Sequence, residues 1–268
     1  MNRILEDLTL HPGEPCAITG SGGKTTLLWY LAGIARHQAP VLVSVTAHMF
    51  PPAPGVVDQL CLNPDAWDPV SLTAGQIHLV ARGLNDRGKL QGITEADVAR
   101  LNQPGAYFLM EADGSRGLPL KMWHDHEPPV PSGARVTLGV LPIRLLGEPV
   151  SPENVYNWPD FSRVTGLAEG DLMTEEAFRR IVFHPQGLFK NSTGRRIVIL
   201  NQCDSDQWLE QAQKLSLSLS RHPEASRLTA IACMSLEELN HENYRHYSCR
   251  RIIPADEPAK DQSVDQRT

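Results

Sequence analysis

Ala17-Ile18-Thr19-Gly20-Ser21-Gly22-Gly23-Lys24-Thr25-Thr26 is the stretch that decides the fold. It follows an apolar run and precedes Leu27-Leu28-Trp29-Tyr30-Leu31-Ala32, which has the spacing of a helix. Three glycines allow a tight turn that brings several backbone N–H groups to bear on one anion. A helix opening near Lys24 points the positive end of its dipole at the same place. Lys24 then supplies a mobile ammonium for outer phosphates, and the Thr25 hydroxyl is suited to Mg²⁺. The stretch reads as a phosphate-binding loop, with Gly20, Ser21, Gly22, Gly23, Lys24, Thr25 and Thr26 as the binding residues. Glycine is absent from position 18, where the common G-x-x-x-x-G-K-[ST] pattern places it.

Outward from the loop, Cys16–Thr19 and Val41–Thr46 read as strands on either side of the helix, a βαβ unit that implies a parallel pair. Phe50 to Pro69 is proline-rich loop with one short strand near Val56 to Leu62. Gln76–Leu84 and Lys89–Ile93 flank the turn signal Asn85-Asp86-Arg87-Gly88 and suggest an inserted hairpin. Thr94 with Asp97 opens a short helix. Tyr107–Met110, Val136–Leu141, Ile197–Leu200 and Leu228–Cys233 are further buried strands. Thr174 caps one helix, and another spans about Asp206 to Ser220. Ser235 with Glu238 forms a capping box for a last one. The pattern specifies an α/β fold, a P-loop NTPase-like three-layer sandwich around a mainly parallel sheet. We expect one domain over 1–253 and a disordered tail over 254–268.

Composition narrows the class of partner. The 268 residues are 41% hydrophobic and 21% charged, with a net charge of −6. That balance gives no general attraction to nucleic acid or to anionic membranes. No apolar run approaches the roughly 20 residues that span a bilayer. Glu6 and Asp7 interrupt the N-terminus where a signal peptide has its apolar core, so a cytoplasmic protein is expected. The five cysteines are scattered and never form C-x-x-C, which argues against a disulfide framework or a zinc ribbon. Cys16 and Cys233 read as small core residues.

Ligands in open parallel sheets bind at the carboxyl ends of strands, and four strands here end in polar clusters. The loop is the first. Thr46-Ala47-His48 is the second. Glu111-Ala112-Asp113 follows four apolar residues, like a Walker B strand; two residues apart in extended chain, both acids face one site. One would hold Mg²⁺ while the other orients or deprotonates water. Asn201-Gln202-Cys203-Asp204 is the fourth. It departs from the guanine-reading N-K-x-D only in having Gln202 for lysine, so ATP and GTP both stay open. Arg116, flanked by Gly114 and Gly117, suits an arginine finger in cis, and Lys121 suits a second anion. His124, His126 and Glu127 cluster, but H-x-H without an evident further ligand is weak evidence for metal.

T-G-S-G-G-K-T-T is similar to the loop of Mur ligases and related amide ligases. The longer run Met110-Glu111-Ala112-Asp113-Gly114-Ser115-Arg116-Gly117-Leu118-Pro119-Leu120-Lys121 resembles the YqeC family of selenium-dependent hydroxylase accessory proteins. Gly20 through Thr26, His126-Glu127-Pro128 and Asn201 through Asp204 match the same family. The chain departs from it at Ser44-Val45-Thr46-Ala47-His48 and at Val155-Tyr156-Asn157. The resemblance implies a nucleotide-hydrolysing accessory protein whose partner is a client molybdenum hydroxylase or its cofactor-maturation proteins. Lys24, Glu111 and Arg116 are then the expected catalytic groups. Thr25 and Asp113 are the expected Mg²⁺ ligands, and Asn201 and Asp204 join the loop in binding ATP or GTP. An ATP-dependent ligase or kinase acting on a small acceptor, and a non-catalytic nucleotide-gated chaperone, remain the alternatives.

Overall fold

A computed structural model describes residues 3–114, 116–125, 127–236 and 248–254, the last group as backbone. The chain is α/β. In chain order, the strands of its main sheet are β1 (Cys16–Gly20), β2 (Val41–Val45), β3 (Gln59–Cys61), β4 (Ile77–Val80), β5 (Tyr107–Glu111), β6 (Val136–Pro142), β7 (Arg195–Asn201), β8 (Ala230–Ser235) and β9 (Ser248–Pro254). They lie in the order β9-β8-β7-β6-β1-β5-β2-β4-β3. Eight are parallel, and β9 runs antiparallel to β8. Every residue of β1, β2, β5 and β6 is buried. Burial on both faces explains why these strands are mostly apolar and lack the alternation of a half-exposed strand.

Helices cover both faces. Helix α1 (Lys24–Ala35) lies on one, where Leu27, Leu28 and Leu31 share a core with Ile18, Val43 and Leu109. Helix α2 (Glu95–Leu101) packs on the other face, where Val98 and Leu101 meet Leu42, Phe108 and Met110. Beyond β6, α3 (Trp158–Thr165), α4 (Glu175–Phe183) and α5 (Asp206–Ser220) bury Phe161, Phe178 and Leu215 against Leu141, Val198 and Ile231.

Local chemistry sets the helix starts. Thr94 and Asp97 close the expected capping box on α2, and Thr174 accepts from Ala177 N at 3.1 Å on α4. Helix α5 is capped by Ser205, whose hydroxyl accepts from Trp208 N, so Asp204 is free for other work.

Several expectations need correction. β1 and β2 are parallel but do not pair, because β5 lies between them and bonds to both. The first arm of the expected hairpin, Ile77–Val80, is a parallel strand of the main sheet. Only 82–91 turns back on itself, and its return arm Leu90–Gln91 also pairs with His48–Met49. Helix α3 went unanticipated, although Pro159 near its start and Gly166 at its end are ordinary helix punctuation. Strand β9 was also unanticipated, and Pro254 is its last residue. The Ser235–Glu238 capping box and the tail over 255–268 lie outside the described residues, although Ser235 itself ends β8.

Candidate functional site

The site begins where β1 runs into α1. Gly20 has φ +102°, and a Cβ there would stand 2.1 Å from Val140 O in β6. Gly23 has φ +129°, and a Cβ there would stand 2.3 Å from Asn201 Nδ2. No L side chain fits either place. Ser21 N donates to Val140 O at 2.9 Å, and Asn201 Nδ2 donates to Gly22 O at 2.7 Å. The loop is thus braced by its two neighbouring strands. Gly23 brings no side-chain cap to α1, so the first-turn N–H groups remain available to a ligand.

Lys24 is buried. Its Nζ donates to Gly20 O at 2.5 Å and sits 3.2 Å from Asp113 Oδ1. Thr25 Oγ1 donates to Glu111 Oε2 at 2.6 Å. Both acids of the expected pair therefore reach the loop, but with different partners.

Asp113 is fully enclosed. Its Oδ2 accepts from Thr19 Oγ1 at 2.9 Å, Gly20 N at 3.2 Å and Trp123 Nε1 at 2.5 Å, while Lys121 Nζ lies 3.6 Å away. Burial works against its charge, but Lys24 and Lys121, with the indole and Gly20 N–H groups, outweigh it and hold the carboxyl below its usual range. Glu111 behaves oppositely. Burial pushes its carboxyl up, Asp113 adds to the effect, and Lys24 and the Thr25 hydrogen bond only partly offset it.

Lys121 is also fully buried. It spans Asp113 and Glu127 (3.3 Å) and donates to Gly114 O at 2.7 Å. Expected as an anion binder, it is instead a fixed internal cation. Arg116 is exposed on the cleft rim, its guanidinium 4.8 Å above the Tyr156 ring.

The four strand ends do not contribute equally. Thr25, Thr26, Glu111, His48, Arg116, Asn201 and Gln202 line one cleft of about 1700 Å³ above the loop. Asn201 spends its amide on Gly22 O and on Leu236 N, which donates to Oδ1 at 3.1 Å. Asp204 is held by Ser235 Oγ (2.6 Å) and Arg144 Nη2 (2.5 Å) and stands apart from the cleft lining. Thr46 Oγ1 donates to Pro129 O at 2.7 Å, which ties the segment after β2 to the loop before β6. Ser115 and His126 lie outside the described residues. Among the described residues, no three His, Cys, Asp or Glu side chains gather as a metal-holding group. No helix among them is long and apolar enough to cross a membrane.

Sequence reasoning missed Trp123, Thr19, Tyr156, Arg144 and Ser235. Only Trp123 carried a usable signal: an indole in a buried loop must find an acceptor, and Asp113 is ten residues away. Tyr156 pairs in register with Lys121, and its hydroxyl lies 3.3 Å from His124 Nε2, so it joins the cleft wall from the far side.

The fold and site together define an α/β protein whose glycine-rich strand-to-helix loop, backed by two carboxylates, opens onto a cleft at the carboxyl edge of a parallel sheet. The sequence profile of the YqeC protein family matches residues 16–159. A relative from Escherichia coli strain K12, described as uncharacterized protein YqeC, is 36% identical over 197 residues, covering 70% of this chain and 77% of its own. The chain belongs to the YqeC family. No solved structure matches it.

Proposed function

We propose that this chain binds ATP or GTP with Mg²⁺ in a P-loop and hydrolyses it in support of the maturation of selenium-dependent molybdenum hydroxylases. The observation that carries the nucleotide reading is the Thr25–Glu111 contact at 2.6 Å, beside a buried Lys24, at the first turn of α1. The client enzyme is an inference from the family resemblance.

The donor set fits the metal. Mg²⁺ favours hard oxygen ligands and usually takes only one or two from protein, and a hydroxyl next to a carboxylate meets that demand. Thr25 and Glu111 would hold it. Asp113 is the poorer candidate, since its Oδ2 already accepts from three donors and its Oδ1, which accepts no hydrogen bond among the described residues, faces the Lys24 ammonium at 3.2 Å. The expected roles therefore exchange: Glu111 serves the metal, and Asp113 sets the loop and the resting position of Lys24. When bound, Mg²⁺ would neutralise charge on the outer phosphates. The Gly20–Lys24 backbone would cradle the phosphates, and Lys24 would leave Asp113 to meet them. Arg116, whose guanidinium rests over Tyr156 at the cleft rim, would turn to the transferred phosphoryl group.

Calorimetric titration of ATP and GTP with Mg²⁺, followed by phosphate-release assays, tests this reading. Binding of either nucleotide that is lost in Lys24→Ala supports it. Absence of binding for both, with folded protein, rejects it. Asp204 is tied to Arg144 and Ser235, so Asp204→Ala is expected to change ATP and GTP affinity alike.

A further inference from the structure

The cleft is larger than one ligand at the loop requires. Small-molecule sites typically enclose about 300–1,000 Å³, and this one has about 1700 Å³. Its far wall is built from residues after β2 and from the 82–91 hairpin, neither of which is needed to hold the glycine-rich loop.

That wall is organised. His48–Met49 pairs with Leu90–Gln91 and fixes the chain that leads into Phe50. At the hairpin tip, Asn85 Oδ1 accepts from Arg87 N and Lys89 N, both at 3.0 Å, so the turn presents the two cations in a set direction. Lys89 Nζ stands 4.6 Å from the centre of the Phe50 ring. Phe50 is 62% exposed, so its ring is accessible to a ligand. Neither Arg87 nor Lys89 closes an ion pair among the described residues. Apart from Lys24, which is paired with Asp113, the cleft lining holds Arg87, Lys89 and Arg116 against only Glu111 and Glu127, in a chain whose net charge is −6. A local excess of cations within an acidic protein concentrates an anion.

We propose that this wall is a second ligand site, for a phosphate ester with a flat aromatic body: the ring packs on Phe50 and the phosphate lies between Arg87 and Lys89. Cation, ring and turn are already in place, so little ordering is required on binding. The site adds a ligand to the one at the loop and stands whether or not the loop takes a nucleotide.

Fluorescence titrations with 1-naphthyl phosphate and with flavin mononucleotide test it, with 1-naphthol and riboflavin as controls lacking the phosphate. Wild type is expected to bind the esters saturably and the controls at least tenfold more weakly. Lys89→Glu and Arg87→Glu should each weaken the esters at least tenfold, and Phe50→Ala about fivefold. These side chains lie outside the core, and circular dichroism will verify that the variants fold. Lys24→Ala, which disables the loop, should leave ester binding within twofold of wild type. Failure of both esters to saturate overturns the proposal. So does loss of binding in Lys24→Ala with none in Lys89→Glu, since that result places the phosphate on the loop.

Discussion

The Lys24 ammonium lies 3.2 Å from Asp113 Oδ1, and both groups are buried. The same carboxylate is shared with Lys121, Trp123, Thr19 and the Gly20 backbone. Asp113 is therefore the centre of a charged knot that joins the glycine-rich loop to the segment carrying Lys121 and Trp123. Breaking a buried pair by removing one partner generally costs about 3–5 kcal/mol. Asp113→Asn is expected to destabilise the protein by about that amount in urea unfolding, with Lys24→Met closer to the lower figure because Lys121 still faces the acid.

Glu111 is expected to separate function from stability. Glu111→Gln keeps a polar group beside Thr25 and removes a charge that burial disfavours. Folding stability at neutral pH should stay the same or rise, while the Mg²⁺-dependent part of nucleotide affinity is lost by about tenfold, or about 1.4 kcal/mol. Titrations with and without Mg²⁺ measure this. A larger loss of Mg²⁺ dependence in Asp113→Asn than in Glu111→Gln would restore Asp113 as the metal ligand.

The two acids also act oppositely on pH dependence. The folded state holds Asp113 below its ordinary value of 3.8, so its stabilisation is complete above that value and fades as pH falls through the lowered one. Glu111 is raised above 4.5 in the folded state, so its contribution is present at low pH and disappears as pH rises through the raised value. Urea midpoints across pH should show Asp113→Asn flattening the acid limb. Glu111→Gln should flatten the decline above pH 4.5.

Gly23 and Asn201 should be coupled. A Cβ on Gly23 meets Asn201 Nδ2, the atom that donates to Gly22 O. Gly23→Ala is expected to cost at least about 2 kcal/mol from backbone strain and overlap. In Asn201→Ala the overlap is gone, so the double variant should be milder than the sum of the singles by about 0.5–3 kcal/mol. Strict additivity in a double-mutant cycle would contradict this geometry.

The parts of the site legible in the sequence were those set by local chemistry. Gly20 to Thr26 declares itself because tight turning and a following helix are written in consecutive residues. Glu111 and Asp113 stand out because a buried strand ends at them. What escaped were choices made between distant segments. Nothing local tells β5 to insert between β1 and β2, since parallel strands connected through helices carry no pairing signal of their own. Asp204 could be read toward a base because its partner Arg144 lies far upstream and Ser235 thirty-one residues downstream. Lys121 looked like a solvent-facing cation until Asp113 and Glu127 closed around it. Strand β9 exists through pairing with β8, which a short Arg-Ile-Ile-Pro run does not announce.

The resting place of Lys24 also governs what the loop will ignore. With the ammonium already on Asp113 and Gly20 O, an incoming anion must displace both before gaining its charge. Chloride or a lone carboxylate offers one contact in exchange for two. A polyphosphate offers the backbone donors and the lysine several oxygens at once. On the proposed reading, the loop would therefore be screened against simple anions, with the screening residue built into the site itself.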